Sequence, residues 1–320
     1  MAPTENNFKT LLSLYRRAMS PAQRKRTQKI KPRAMVYPIG IERAYASDIT
    51  NKNKALVRKS WELLTPFLTR WSPVKSDSAD TELDSIMKQL DDFIDVNYGS
   101  TFIVADLGQL VRGFAEKILG KNTNFFESQI AIVVGTPITV DQPWWPEVRS
   151  LWEQENYRLI KGLGEEYVRK LNSTVTTGVQ EGWSFSKLTD EITKLSDQMV
   201  GWRARLTARD QIGKLNGAIT KAQYQSIGME TYYWMTSHDE RVRGNPSGKF
   251  PKAIPSHWIM QDVLCSWKNA SVYYDFSTKS WVQKTGKMEP SHPGFAIACR
   301  CLAAPSWERY LKDIDEGSMI

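Results

Sequence analysis

Cys299 and Cys301 stand two positions apart in Phe295–Ala303 (FAIACRCLA), a segment that reads as a strand. Alternation along a strand puts Phe295, Ile297, Cys299 and Cys301 on one face and Arg300 on the other. Side chains two apart on a strand lie about 7 Å apart with parallel Cβ vectors, which disfavours a bond between two thiols. Both could still face a metal ion. Zinc takes four ligands, and the rest would have to come from His238, Asp239, His257, Cys265 and His292. No C-x-x-C and no H-x-x-x-H pair accompanies them. Free cysteine is also among the most buried residue types. The pattern therefore predicts that Cys299 and Cys301 pack inward without a mutual disulfide, with no metal and no cofactor. If zinc were to bind, Cys299, Cys301 and His257 would be its ligands.

Other chemistry is thinly supported. His257, Asn269 and His292 follow the order of an HNH-type nuclease, but these residues are widely scattered. No G-x-S-x-G, no H-E-x-x-H and no phosphate loop is present. An enzyme is not expected; the alternative kept open is a metal-dependent nuclease or toxin-like effector. In Thr236–Arg243 (TSHDERVR), Asp239 and Arg241 would share one face of an extended chain. Asp239, Arg241 and Arg243 are expected to form a network joining the Trp234 strand to the cysteine strand, because guanidinium groups make several fixed hydrogen bonds.

Charge is the other conspicuous feature. The chain has 320 residues and a net charge of +8. Residues 1–34 hold nine Lys and Arg against one acid, Glu5, so their excess alone equals that of the whole chain. The cations are Lys9, Arg16, Arg17, Arg24, Lys25, Arg26, Lys29, Lys31 and Arg33. A neutral body with a cationic arm points to an anionic partner such as DNA or an acidic protein surface. The arm is expected to be ordered only in an assembly, with Phe8, Leu11, Leu12, Leu14 and Tyr15 filling a partner's groove.

The elements that would position these residues are mostly helical. Ser20-Pro21 reads as an N-cap followed by proline at the first helical position. Helical patterns cover Ile41–Trp71, where Pro66 should kink or split the helix, then Leu83–Ile94 and Phe102–Ile118. Ser72–Asp80 reads as a polar linker. Gln142–Pro146 (QPWWP) marks a turn and a boundary, its tryptophans plugging a seam between helical layers. Helices resume over Glu147–Asn172, Ser186–Met199 and Trp202–Ser226. Glu230–Thr236 is rich in β-formers, and Ser271–Phe276 and Lys279–Gln283 flank a turn at Ser277-Thr278 as a hairpin. The expected fold is α+β and mainly α-helical: a helical N-terminal region, further helices, then a small antiparallel β-sheet at the C-terminus. The expected domains are a basic arm over 1–41, a helical domain over 42–145 and a C-terminal domain over 146–320.

Hydrophobic content of 41% and charged content of 24% are near the globular average, which excludes wholesale disorder. Ile130–Val134 is the longest apolar run, far short of the ~20 residues that span a bilayer, so no membrane is expected. Leu11–Leu14 is too short for a secretory signal. Three cysteines make no disulfide framework, so the expected compartment is a reducing cytoplasm or a particle assembled there.

A set of motif residues resembles a known family. It comprises Ala208-Arg209-Asp210-Gln211, Lys214-Leu215-Asn216, Gly228, Tyr233-Trp234, Asp239-Glu-Arg241-Val-Arg243, His257, and Pro290 ahead of Cys299-Arg300-Cys301 and Pro305. In order and spacing these resemble the phage Mu F-like minor head protein family, over about Trp152–Pro305. The resemblance implies a structural minor head protein of a tailed bacteriophage, acting in head assembly and in DNA packaging or ejection. Its implied partners are the portal protein, the major capsid protein and, without sequence preference, packaged DNA. Its implied location is the head interior or portal region, in several copies, after assembly in the host cytoplasm. It carries over no catalytic residues. Asp210, Asn216, Trp234, Asp239, Arg241, Arg243, Cys299, Arg300 and Cys301 carry over as fold determinants.

Overall fold

The computed structural model describes residues 5–70, 77–98 and 106–316. The chain is mainly α-helical with one five-stranded antiparallel sheet near the C-terminus, as the patterning predicts. The first part of the Ser72–Asp80 linker and the start of the Phe102–Ile118 helix lie outside the described residues. The helices are α1 (Glu5–Ala18), α2 (Pro21–Gln28), α3 (Ile39–Thr69), α4 (Asp77–Tyr98), α5 (Asp106–Val134), α6 (Trp145–Gln180), α7 (Phe185–Gln198), α8 (Ala204–Ser226) and α9 (Trp307–Asp315). The strands are β1 (Thr231–Met235), β2 (Leu264–Ser266), β3 (Val272–Asp275), β4 (Ser280–Gln283) and β5 (Leu302–Pro305), in the spatial order β4-β3-β2-β1-β5.

The compact units are discontinuous in sequence. One comprises 1–38, 116–148 and 212–320; the other comprises 39–115 and 149–211. The linear partition at 41 and 145 therefore does not describe the packing, because α5, α6 and α8 each supply residues to both units.

The second unit is built from α3, α4, the first part of α5, most of α6, α7 and the start of α8. Tyr45, Ile49, Leu56 and Leu64 recur at helical spacing on α3 and are fully buried. Pro66 falls in the last turn of α3, where it removes one hydrogen bond without splitting the helix. A π-helical turn, Met199–Arg203, joins α7 to α8. Such a turn disturbs the regular carbonyl pairing, and the buried Asn53 amide donates to the Met199 carbonyl at 3.0 Å.

The first unit holds the sheet. β1 sits between β2 and β5, with Trp234 opposite Ala303 and Tyr232 opposite Cys265. Tyr232 and Trp234 point into the core while Tyr233 lies partly exposed on the other face. The core they join includes Phe126 and Ile130 of α5, Tyr224 of α8, and Trp307, Tyr310 and Leu311 of α9. Trp145 is buried in this same unit, its indole N–H 3.3 Å from a Glu116 carboxylate oxygen, as a core residue.

Two sequence expectations fail here. The arm is not a free tail: Phe8 and Leu12 of α1 are buried in the same core as Trp234, and Ser20 caps α2 in a reciprocal box with Gln23. Arg16 is only 1% exposed, its guanidinium donating to both carboxylate oxygens of Asp315 on α9 at 2.7 and 2.5 Å. Of the apolar residues expected to fill a partner's groove, Phe8 and Leu12 fill one on their own chain, while Leu14 and Tyr15 are exposed. The strand expected over Phe295–Ala303 also shrinks. Regular pairing begins only at Leu302, because His292–Cys299 turns, with Gly294 at φ 86° and Ala298 at φ 53°.

Candidate functional site

Between β4 and β5 runs a long irregular loop, residues 284–301, that carries Glu289, His292, Cys299 and Cys301. Helix α8 fixes where it lies. A Cβ at Gly213 would stand 2.6 Å from the Cys299 carbonyl oxygen, and one at Gly217 would stand 2.6 Å from the Pro293 carbonyl oxygen. Two glycines one turn apart on α8 thus let the loop backbone lie directly on the helix. Arg243 holds the loop from another side, its Nη2 donating to the Ile297 carbonyl at 2.6 Å.

The turn at Ala298 brings the sulfurs to one side of the loop, which a strand would also do, but much closer to each other and to His257. The His257 Nδ1 and the sulfurs of Cys299 and Cys301 all lie within 4.8 Å of one another. Nδ1 is 3.4 Å from the Cys299 sulfur and 3.5 Å from that of Cys301. All three residues are buried, and the cysteines are free thiols. His257 is oriented from behind. Its Nε2 meets Oε2 of Glu289 at 2.9 Å, and the other Glu289 oxygen accepts from the Ser291 backbone N–H and hydroxyl. The His257 backbone N–H donates to the Arg243 carbonyl at 3.0 Å, and the ring lies edge-on to Trp234.

The electrostatics follow from this packing. Burial disfavours a charged His257, but hydrogen bonds to Cys299 and Glu289 outweigh it and raise the ring to about 9. Burial likewise opposes ionised Glu289, yet its bonds from His257 and Ser291 hold it down at about 2. Cys299 is pushed well below the ordinary thiol range by its bond with Cys301, against burial, and further by His257 and the Gly294 backbone N–H. Cys301 moves the other way, because a neighbouring thiolate and burial both disfavour a second charge, although the Trp234 indole and the Ser237 backbone N–H favour it. One thiolate, one thiol and an imidazolium backed by a carboxylate result. Thiolate, base and orienting carboxylate are also the parts of a cysteine nucleophile. Cys299 is only 4% exposed, so the cluster lies in the interior.

A second polar line crosses the same unit. Lys221 Nζ lies 3.3 Å from Nε2 of His292, and the Tyr232 hydroxyl lies 3.0 Å from its Nδ1. A lysine only donates, so Nε2 accepts, and the neutral ring donates from Nδ1 to Tyr232. The Tyr232 hydroxyl in turn interacts with Cys265, whose thiol burial pushes up to about 11. His292 and Cys265 are thereby engaged away from the cysteine pair.

The remaining sequence candidates scatter. Asn216 is buried and accepts from Asn122 at 3.1 Å, linking α8 to α5 within the first unit. Asp210 belongs to the second unit. Asp239 does not share an extended face with Arg241: at a turn marked by His238 at φ 53°, it accepts the backbone N–H of Arg241, whose side chain is exposed. Arg241 thus drops out of the expected network. Asp239 reaches Arg300 instead, at 3.9 Å, and Arg300 lies over the Tyr37 ring. In the basic segment, Arg17, Lys25, Arg26, Lys29, Lys31 and Arg33 are exposed. Arg24 folds back, donating to the carbonyls of Met19 and Arg17. Glu289 was missed by sequence reasoning; its only signal was an acid just upstream of His292 and the cysteines.

Residues 169–304 match the family model described as phage Mu protein F like protein, so this region is Mu F-like, as its motif residues imply. The match contains β1 to β4, most of β5, and the whole cluster. An uncharacterised protein of Haemophilus influenzae is 29% identical over 150 residues, covering 47% of this chain and 27% of that protein. The chain thus spans about a quarter of that relative's length. No solved structure matches the chain. Among the described residues, no helix is long and apolar enough to cross a membrane.

Proposed function

We propose that this chain is a structural minor head protein of a tailed phage, seated at the portal or the inner capsid wall and acting in head assembly. The observation that carries this reading is the match of residues 169–304 to the phage Mu protein F like family, a family of phage head morphogenesis proteins. The basic segment supports a partner of opposite charge. Six exposed cations fall within residues 17–33, three of them on or next to α2. Lys and Arg contacts to phosphate release counterions and bind DNA without sequence preference. The role proposed for them is contact with packaged DNA or with an acidic face of the portal or capsid protein.

The test is to purify heads from the phage or prophage that encodes the chain and probe them for it. The protein is expected to co-sediment with heads, to resist protease until they are opened, and to crosslink to the portal or capsid protein. Its absence from purified particles would end the reading. Replacing the six exposed cations by glutamine should weaken duplex-DNA retention and flatten its salt dependence, whose slope falls by about 0.9 for every phosphate that is no longer neutralised.

A further inference from the structure

We propose that His257, Cys299 and Cys301 bind one Zn²⁺ ion that fastens loop 284–301 to the turn at His257. The spacing fits. Zinc bonds of about 2.0–2.3 Å at tetrahedral angles set neighbouring ligand atoms roughly 3.3–3.8 Å apart. Nδ1 lies 3.4 and 3.5 Å from the two sulfurs. The two sulfurs lie within 4.8 Å of each other, so binding has to draw them together by no more than about 1 Å.

The surroundings are those of a metal site. A ligating histidine usually donates its other N–H to a carboxylate, which fixes the ring and its tautomer. Glu289 stands in that place at 2.9 Å. Metal thiolates need donors around them, and the backbone N–H groups of Gly294 and Ser237 act on Cys299 and Cys301. The Trp234 indole N–H is buried beside the Cys301 sulfur, which becomes a fuller acceptor once metal binds.

Charge selects a divalent ion. Two thiolates, a neutral imidazole and Zn²⁺ sum to zero, so the cluster keeps only the single negative charge of Glu289 that it carries without metal. A monovalent ion would add a second buried negative charge. The proton balance is simple: the thiol proton of Cys301 and the Nδ1 proton of His257 leave to solvent as zinc takes their places. Three protein ligands leave the fourth position for a solvent molecule. A structural ion also accounts for the loop. Irregular connections longer than about 12–15 residues are uncommon in compact domains unless something orders them, and this one contributes Cys299 and Cys301 to the core.

The experiment uses the full chain, purified with reductant and without chelator. Mass spectrometry of the metal content should give about one zinc per chain. Exchange for Co²⁺ should give the visible bands of a four-coordinate site with a sulfur-to-cobalt charge-transfer band. C299S and C301S should each lose the ion, and C265S, a buried cysteine outside the cluster, should keep it. E289Q should weaken zinc binding by about 10–100-fold, as losses behind a ligating histidine do. Chelation should expose loop 284–301 to protease. Should the serine variants fail to fold, the cobalt spectrum of the parent still decides. Failure of the folded, reduced parent to take up Zn²⁺ or Co²⁺, a cobalt spectrum without sulfur ligation, or unchanged binding in the C299S/C301S double variant would each overturn the assignment.

Discussion

Replacing Gly213 with alanine tests how the cysteine loop is held. On an exposed helix face this change is favourable, because alanine is the better helix former by about 1 kcal/mol. At Gly213 the new Cβ would stand 2.6 Å from the Cys299 carbonyl oxygen and 3.5 Å from that of Gly294. Ordinary contact begins at 3.4 Å, so loop and helix would have to part by several tenths of an ångström. Neither side yields easily, since both partners are backbone and Gly294 is itself held at φ 86° with its Cβ position facing Gly213. Overpacking of this kind costs about 1–3 kcal/mol, and its upper end applies where no flexible side chain can swing away. The overpacking outweighs the helix propensity, and G213A should lose about 1–2 kcal/mol net. That corresponds to a melting temperature lower by about 2–6 °C. Gly120 on α5 is the matched control, because nothing lies within 4 Å of its Cβ position; G120A should gain stability. Thermal and urea unfolding of the two variants give the comparison, and native thiol labelling should speed up in G213A alone as the loop lifts. A G213A protein as stable as the parent, with thiols equally protected, would refute the account of the loop as clamped on α8.

Three further predictions rest on other contacts. Burial, reinforced by Lys221 and Lys284, holds His292 down at about 4, so the folded chain keeps it neutral where the unfolded chain, near 6.5, takes up a proton. Stability should therefore be unaffected by this group above pH ~6.5 and fall by about 2–3 kcal/mol between there and pH ~4. H292Q should flatten that acid limb in pH-dependent urea unfolding, and an unchanged limb would count against the assignment. Arg16→Ala should cost about 3–4 kcal/mol, because it strands Asp315 and empties a buried site; circular dichroism melts and limited proteolysis would show α1 and α2 released, and wild-type protection would refute the pairing. Arg243→Ala should destabilise by about 0.5–1.5 kcal/mol through the lost hydrogen bond to the Ile297 carbonyl, whereas Arg241→Ala should stay within about 0.5 kcal/mol; equal melting temperatures for the two variants would contradict that contrast.

Long-period signals were readable from the sequence because they are local. The Leu83–Ile94 rhythm, the Ser20-Pro21 start, the β-rich Glu230–Thr236 and the hairpin around Ser277-Thr278 each became the expected element. The cluster was half legible. His257, Cys299 and Cys301 could be named as possible ligands, but two cysteines in a segment with alternating apolar residues imitate a strand. What overrides that pattern is tertiary: Gly213 and Gly217 admit the loop backbone, and Gly294 and Ala298 at positive φ turn it. Glu289 was illegible because its partner is 32 positions away and nothing in its neighbours marks it. The discontinuous units were half legible for a related reason: the breaks near Pro38 and Pro146 carry a sequence signal, whereas those inside α5 and α8 fall where no proline, glycine run or polar linker interrupts the helix.

The basic segment shows how composition can mislead about dynamics while remaining right about charge. Its polarity argued that ordering it would cost more than it could recover. Phe8, Leu12 and Arg16 reverse that balance, because they lie one turn apart on α1, and the core and Asp315 receive all three. The cost of ordering is met during folding. The cations left outside, from Arg17 to Arg33, therefore belong to a surface that is already fixed. Binding through a fixed surface loses less conformational freedom than binding through a tail that must fold as it docks. A partner that meets only residues 17–33 should associate with a strong salt dependence but a small heat-capacity change, since no large apolar side chain among the described residues there is exposed.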